Sequence, residues 1–387
     1  MAGSTAAAVE QADRAAAAGD LQRARVLLAE AVAADASPDM QVLMKLAAVS
    51  KAAGRPNEAL AAVHRVLAQA PLNFMALVMR ASLLEAVSPE EAGQAWDNAL
   101  AQTPDGDLPL PLATAVHRGR LRRSEWVARR EARIVACMEA ASSQPDPEQA
   151  KRLARFRSNV LRRTQPYHSQ PTHYSYPELT EREFHPRHLF SWLEQLEAET
   201  ATIAAELGAV MVAERAELVP YIQYSDHEPL DQWRPLNRNR DWTAIHLVQN
   251  GTRIDANARH CPRTLELLKG IGQPHIRGAG PNAMFSLLAP RTLIPPHVGV
   301  NNARLVCHLP LVVPDGCWFR VGAQTRPWRR GEAWVFDDTI EHEASNPSDE
   351  LRVVFIFDVW HPDLSLPERE GVAALIGAEA GSVGSGL

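Results

Sequence analysis

The sequence predicts a multidomain chain, an N-terminal α-helical repeat region followed by a double-stranded β-helix (jelly-roll) domain. Two observations carry this. Similar helix starts recur through the first hundred residues, with Ala24, Ala59 and Ala92 separated by 35 and then 33 positions. Beyond about residue 240, short β-rich runs replace the helical pattern, broken by Gly, Pro, Asn and Asp.

A chain of 387 residues is long enough for two modest domains, each with its own core. Hydrophobic content of 46% and charged content of 22% are those of an ordinary globular protein. A net charge of −6 gives no electrostatic reason to expect nucleic acid or an anionic membrane as the main partner. No apolar run approaches the roughly 20 residues needed to span a bilayer. The start, MAGSTAAAVEQADRAAAAGD, has no basic region ahead of an apolar one, so a signal peptide is not expected and a cytoplasmic location is. Cys137, Cys261, Cys307 and Cys317 form no CxxC pair and read as packing residues.

Residues 1–105 are assigned to the repeats. Compare AGDLQRARVLLAEAVAADASP, AGRPNEALAAVHRVLAQAP and SPEEAGQAWDNALAQTP, the last two closed by Pro71 and Pro104. Small residues at fixed places let paired helices approach, and each proline stops a helix where the next must turn. The period is close to that of tetratricopeptide repeats, which the segment resembles. Such an array offers a surface for a peptide or protein partner, or else serves as a helical cap. Residues 106–169 read as a connector: an Arg-rich helical stretch, HRGRLRRSEWVARREARIV, then a Pro-rich linker, TQPYHSQPTHYSYPEL. The arginines fit a solvated or salt-bridged face better than a nucleic-acid site.

The predicted jelly roll covers residues 170–368, with a flexible Gly/Ser-rich tail at 369–387. A helix bearing Phe190, Trp192, Leu193 and Leu196 opens it. AIHLVQNG, AMFSLLAP, RLVCHLPLVV, CWFRVGAQ, AWVFDD and LRVVFIFDVWH then read as strands. Nothing helical alternates with them, which disfavours a TIM barrel.

Two histidines lie beside these strands, His297 in IPPHVGVNN and His342 after VFDDTIE. Many non-haem iron sites use two histidines and a carboxylate, yet Gly299 stands where the carboxylate would be expected. On residues alone, each is either a ligand or a buried structural histidine. Arg352 shares a strand face with Val354, Ile356 and Asp358 by alternation. An inward arginine there needs an anion, supplied either by Asp358 or by a bound carboxylate. Arg304, Val306 and His308 likewise share one face. Asp337 and Asp338 fit a turn or a contact to a ligand better than a third metal ligand.

The ordered strings FSLLAPRTLIPPHVGVNNARLVCHLPLVVPDGCWFRVG and WRRGEAWVFDDTIEHEASNPSDELRVVFIFDVWHPDL resemble the aspartyl/asparaginyl β-hydroxylase family of Fe(II)- and 2-oxoglutarate-dependent dioxygenases. The resemblance covers roughly residues 170–368 and implies a catalytic jelly roll. It implies that His297 and His342 bind iron, with water rather than a carboxylate at the place marked by Gly299. It further implies cosubstrate binding by Ser286, Arg304, His308 and Arg352, with Arg352 on the distal carboxylate of 2-oxoglutarate. The chain departs from the animal enzymes at Val306, where they carry arginine. A halide at the open position, as in related halogenases, fits the surrounding strings less well.

The implied reaction consumes O2 and 2-oxoglutarate, releases succinate and CO2, and hydroxylates the β carbon of Asp or Asn in a peptide or protein, one that the helical repeats would present. Arg234, Arg238, Arg240 and Trp242 in WRPLNRNRDW are the candidate substrate contacts, or else exposed loop charges. The alternatives are a hydroxylase of a non-peptide substrate such as a lipid acyl chain, and a non-catalytic peptide-binding adaptor.

Overall fold

The computed structural model describes residues 2–140, 143–213, 219–223, 232, 234–235 and 237–379. It divides into two compact units, Met1–Arg163 and Thr164–Leu387.

The first unit is helical: α1 (Ala2–Ala17), α2 (Leu21–Ala33), α3 (Met40–Ala52), α4 (Pro56–Gln69), α5 (Phe74–Val87), α6 (Pro89–Leu100), α7 (Leu110–Glu139) and α8 (Pro147–Val160). Side chains of Asp20, Asp39 and Asn73 accept backbone N–H bonds at the starts of α2, α3 and α5. Proline opens α4 and α6, where its missing N–H costs nothing. Helices pack in pairs, α1 on α2, α3 on α4 and α5 on α6. Ala24, Ala59 and Ala92 are buried in the second helix of each pair, as the repeat spacing required.

The connector prediction is corrected here. Helix α7 packs on α6 and belongs to the first unit. Trp96 of α6 is fully buried and its indole Nε1 donates to Glu85 at 2.8 Å. Its ring occupies the space left by Gly119 of α7, where a Cβ would lie 2.3 Å away. The repeat array therefore ends on a long closing helix, and the chain changes unit at residue 163 rather than 169.

The second unit begins with α9 (Leu193–Ala198) and α10 (Thr200–Met211). Strands β1 (Val219–Pro220), β2 (Trp242–Gln249) and β3 (Thr252–Arg253) follow, then α11 (Asp255–Ala258) and α12 (Pro262–Lys269). The remaining strands are β4 (Ala283–Leu288), β5 (Thr292–His297), β6 (Arg304–Val312), β7 (Trp318–Val321), β8 (Gln324–Pro327), β9 (Trp334–Phe336), β10 (His342–Asn346) and β11 (Arg352–Trp360). Helix α13 (Leu366–Glu379) closes the described chain. One antiparallel sheet runs β1-β2-β4-β11-β6-β9, with β3 beside β2, and the second runs β5-β10-β7-β8. Among the described residues this is the two-sheet arrangement of a jelly roll.

Strand β11 shows how the layers form. Val353, Phe355, Phe357 and Val359 join a core with Leu193 and Leu196 of α9, Ile203 and Leu207 of α10, and Leu268 of α12. Val354 and Ile356, on the opposite face, join Trp242, Phe319 and Phe336. Helices thus cover the outer face of the large sheet, and its inner face meets the small one. Each fully buried Val or Phe contributes roughly 1.5–3 kcal/mol. The segment before α9 lies along the inter-sheet loops: Gln170 N donates to Thr339 O at 2.8 Å, Thr172 N to Gly299 O at 3.0 Å and Tyr174 N to Val300 O at 2.9 Å.

A second correction concerns the tail. LPEREGVAALIGAE is rich in helix formers and folds as α13, with Ile376 buried. The Gly/Ser-rich remainder, 380–387, lies outside the described residues. No helix among the described residues is long and apolar enough to cross a membrane.

Two outcomes are expected from this packing. Trp96→Ala should cost about 3–5 kcal/mol, read from urea unfolding of the helical unit. His185 is buried edge-on to His361 at 5.1 Å, and burial holds its imidazole down to about 3 against an ordinary 6.5. Its contribution to stability is complete above the unfolded value and drains away as pH falls toward the folded one, because the unfolded chain takes the proton first. Unfolding midpoints between pH 7 and pH 4 should fall, and His185→Phe should flatten that slope.

Candidate active site

The pairing of β5 with β10 sets the centre of the site. Its register places His297 opposite His342, and their ring centroids stand 4.1 Å apart. A bulge between His342 and Ala344 follows directly, a common device for aiming a side chain. His297 Nδ1 lies 2.8 Å from Pro295 O, and His342 Nδ1 lies 3.1 Å from Ile340 O. A carbonyl only accepts, so both Nδ1 atoms donate and each neutral ring keeps its lone pair on Nε2. Burial depresses both imidazoles, His342 to about 4 and His297 well below 6.5, where the neighbouring His342 adds to the effect. Neutral imidazole is the form that binds metal.

No cluster of three or more His, Cys, Asp or Glu suited to a metal occurs among the described residues. The reason at position 299 is steric. A Cβ on Gly299 would lie 2.3 Å from Asp338 Oδ2 and 2.4 Å from its Cγ. Gly299 also donates its N–H to the Asp338 carbonyl at 2.7 Å. The carboxylate of Asp338 therefore fills the space that a side chain at 299 would need. It also sets a negative charge beside the place considered for a halide. Asp337 makes the turn, accepting the Thr339 N–H at 2.9 Å.

Arg352 is 2% exposed, yet no hydrogen bond or carboxylate from the described residues reaches it. Its guanidinium stands 5.5 Å from the Trp328 ring centroid, and burial lowers it to about 10. Asp358, the internal acid on the same face, is committed elsewhere. It accepts from Asn282 N at 2.7 Å and lies 3.6 Å from Arg304. Arg304 is also bonded to Asp338 at 3.0 Å, so its charge is balanced inside the protein.

Around Arg352 the expected partners assemble. Ser286, on the adjacent β4, is buried and accepts from Trp242 Nε1 at 3.0 Å. His308 stacks on Trp328 at 5.5 Å, and its Nδ1 is buried with no partner among the described residues. Burial, with Arg352 and His342 nearby, keeps it neutral. His297, His342, Ser286, Arg304, His308 and Arg352 all line one cavity of about 70 Å³. The unsatisfied guanidinium suits the distal carboxylate of a dicarboxylate, and the neutral imidazole pair suits Fe(II).

Of the substrate candidates, Trp242 lines the cavity, stacked on Tyr221 with centroids 4.0 Å apart. Arg234, Arg238 and Arg240 are exposed and do not line it. Much of the loop before them, residues 224–231, lies outside the described residues. Three contributors escaped the sequence reading: Tyr221, Trp328, and Gln232, whose amide brackets Val298 by bonds of 2.9 Å to its N–H and carbonyl. Only their folded neighbours give them meaning.

Residues 197–362 match the family model described as Aspartyl/Asparaginyl beta-hydroxylase. The match lies within the β-sheet unit. The human aspartate beta-hydroxylase domain-containing protein 2 is 37% identical over 135 residues, covering 34% of this chain and 37% of that protein. Its Xenopus tropicalis counterpart is 30% identical over 211 residues, 53% of this chain and 54% of that one. Human aspartyl/asparaginyl beta-hydroxylase is 35% identical over 142 residues, 36% of this chain and 18% of that protein. The matches thus span between about a fifth and about half of the relatives' length. A solved structure of the first TPR domain of Spaghetti bound to an HSP90 peptide aligns with 30% of the chain and 91% of its own, at 13% identity and a TM-score of 0.27.

In this site, Gly299→Ala should destabilise by about 1–3 kcal/mol, because the Asp338 carboxylate cannot yield without leaving Arg304. Removing the obstruction should recover part of that. In a double-mutant cycle, Gly299→Ala with Asp338→Ala should be less destabilised than the sum of the singles by about 1 kcal/mol.

Proposed function

We propose that this protein is an Fe(II)- and 2-oxoglutarate-dependent hydroxylase of Asp or Asn side chains in a peptide or protein. The observation that carries the reading is Arg352, a buried guanidinium that lines the same cavity as the histidine pair and is left without an acid among the described residues. Burying an unpaired charge is costly, and a site that retains one is built for an anion.

His297 and His342 would hold the metal through Nε2, their Nδ1 bonds to Pro295 and Ile340 fixing each ring. Arg352, with Ser286 beside it, would hold the distal carboxylate. His308, kept neutral by burial, would hydrogen-bond the metal-proximal end, the task that falls to it with Val306 in place of arginine. When bound, these groups supply the oxidation: one atom of O2 enters a substrate C–H bond and the other enters succinate as CO2 leaves. The chain's own work is to orient the C–H bond and limit water, which Trp242, Phe319 and Phe336 do by walling the cavity. The helical unit serves, on this reading, to bind the peptide that carries the target residue.

Anaerobic titration with Fe(II) and 2-oxoglutarate, followed by O2-dependent succinate release, tests the proposal. His342→Ala should abolish Fe(II) retention, and Arg352→Ala should weaken 2-oxoglutarate binding about 100-fold. A wild-type chain that neither binds the metal nor releases succinate would favour the adaptor.

A further inference from the structure

We infer that the side chain hydroxylated in this cavity is uncharged, an asparagine carboxamide rather than an aspartate carboxylate. This rests on the hydroxylase reading above and narrows its substrate.

The argument is one of charge. Among the described residues, four side chains lining the cavity carry formal charge: Arg304, Arg352, Asp338 and Asp358. They do not pair evenly. Arg304 takes both carboxylates, Asp338 at 3.0 Å and Asp358 at 3.6 Å. Arg352 takes neither, and 2-oxoglutarate claims it. Two positive and two negative side chains cancel, and an Fe(II) dication cancels a 2-oxoglutarate dianion. Among the described residues the loaded cavity is then neutral, with none of their cations left over for another anion.

Strand β6 could have supplied one and does not. Its cavity face presents Arg304, Val306 and His308 in alternation, and the central position is a buried valine. Burial and the nearby Arg352 keep His308 from charging in compensation. Arg234, Arg238 and Arg240 are exposed and do not line the cavity, and solvent weakens their pull on a group inside. An aspartate entering here would be a buried carboxylate without a counter-charge, among the costliest groups to desolvate.

A carboxamide has the same shape and no charge, and the cavity keeps a polar atom for it. His246 lines the wall at 5% exposure, and its Nδ1 has no partner among the described residues. An amide both donates and accepts, so it satisfies that nitrogen in either tautomer, whereas a carboxylate only accepts. A missing counter-charge and an uncommitted neutral group thus favour the same side chain.

The test uses the full-length protein and two synthetic peptide pools, identical except for Asn or Asp at the central position. With Fe(II) and 2-oxoglutarate bound under anaerobic conditions, peptide binding is read from the perturbed metal–cosubstrate absorption. Oxygen is then admitted and single-oxygen mass gain is counted. The Asn pool should bind and react at concentrations about tenfold or more below the Asp pool. Asp358→Asn leaves Arg304 one carboxylate and should shrink the preference to about threefold or less. Val306→Arg, which adds a cation to the same face directly across from Asp358, should shift it the same way. Equal use of the two pools, preference for Asp, or binding of neither overturns the inference. Absence of the metal–cosubstrate absorption itself defeats the hydroxylase reading instead, and is seen before any peptide is added.

Discussion

Arg352 is the constraint on which the rest of the second unit depends. A guanidinium 2% exposed, with Trp328 beside it and no acid in reach among the described residues, weakens the fold unless an anion is bound. The offset comes from the opposite side of the same strand. Val353, Phe355, Phe357 and Val359 are packed under α9, α10 and α12, so one face of β11 supplies the stability that the other face lacks. A strand buried on both faces can carry one unsatisfied group; an edge strand with half that burial would twist it out to solvent.

The large sheet contains two arginines solved in opposite ways. Arg304 and Arg352 lie on neighbouring strands, facing the same cavity, and differ in what the chain places beside them. Arg304 meets Asp338 and Asp358, and Asn282 anchors the second of these. That network holds the loop carrying Asp338 against Gly299 and so shapes the space beside the histidines. One arginine builds the wall and the other receives the ligand.

Much of this was legible in the sequence because strand alternation is a strong signal where both faces are buried. The runs at β2, β4, β6, β7, β9 and β11 were readable to within a few residues. The division of β6 and β11 into cavity and core faces followed from period two alone. The strands that were missed include those that carry the histidines. β5 contains Pro295 and Pro296, and β10 reads HEASN; neither has the β-branched composition that marks a strand. The cause of the glycine at 299 was hidden for another reason. Its steric partner Asp338 is remote in sequence, and only pairing of β5 with β10 brings the two together. Repeat spacing located the buried alanines of the helical unit but gave no sign that an Arg-rich helix would close it, because that contact turns on Gly119 admitting the Trp96 ring.

The stretch that the family model matches, residues 197–362, is shorter than the stretch that makes the site. Backbone bonds from Gln170, Thr172 and Tyr174 satisfy carbonyls of Thr339, Gly299 and Val300, and His185 N–H is bonded to Val335 O at 2.9 Å. All of these donors precede the matched region. Cut at its borders, the chain would keep both histidines and lose the polypeptide that seals the loops around them, leaving those carbonyls to water. The border of the family match and the border of the folded site therefore differ in this protein, and the segment between them is a strap that closes the loops through its main chain and anchors itself by Phe184 in the core between the sheets.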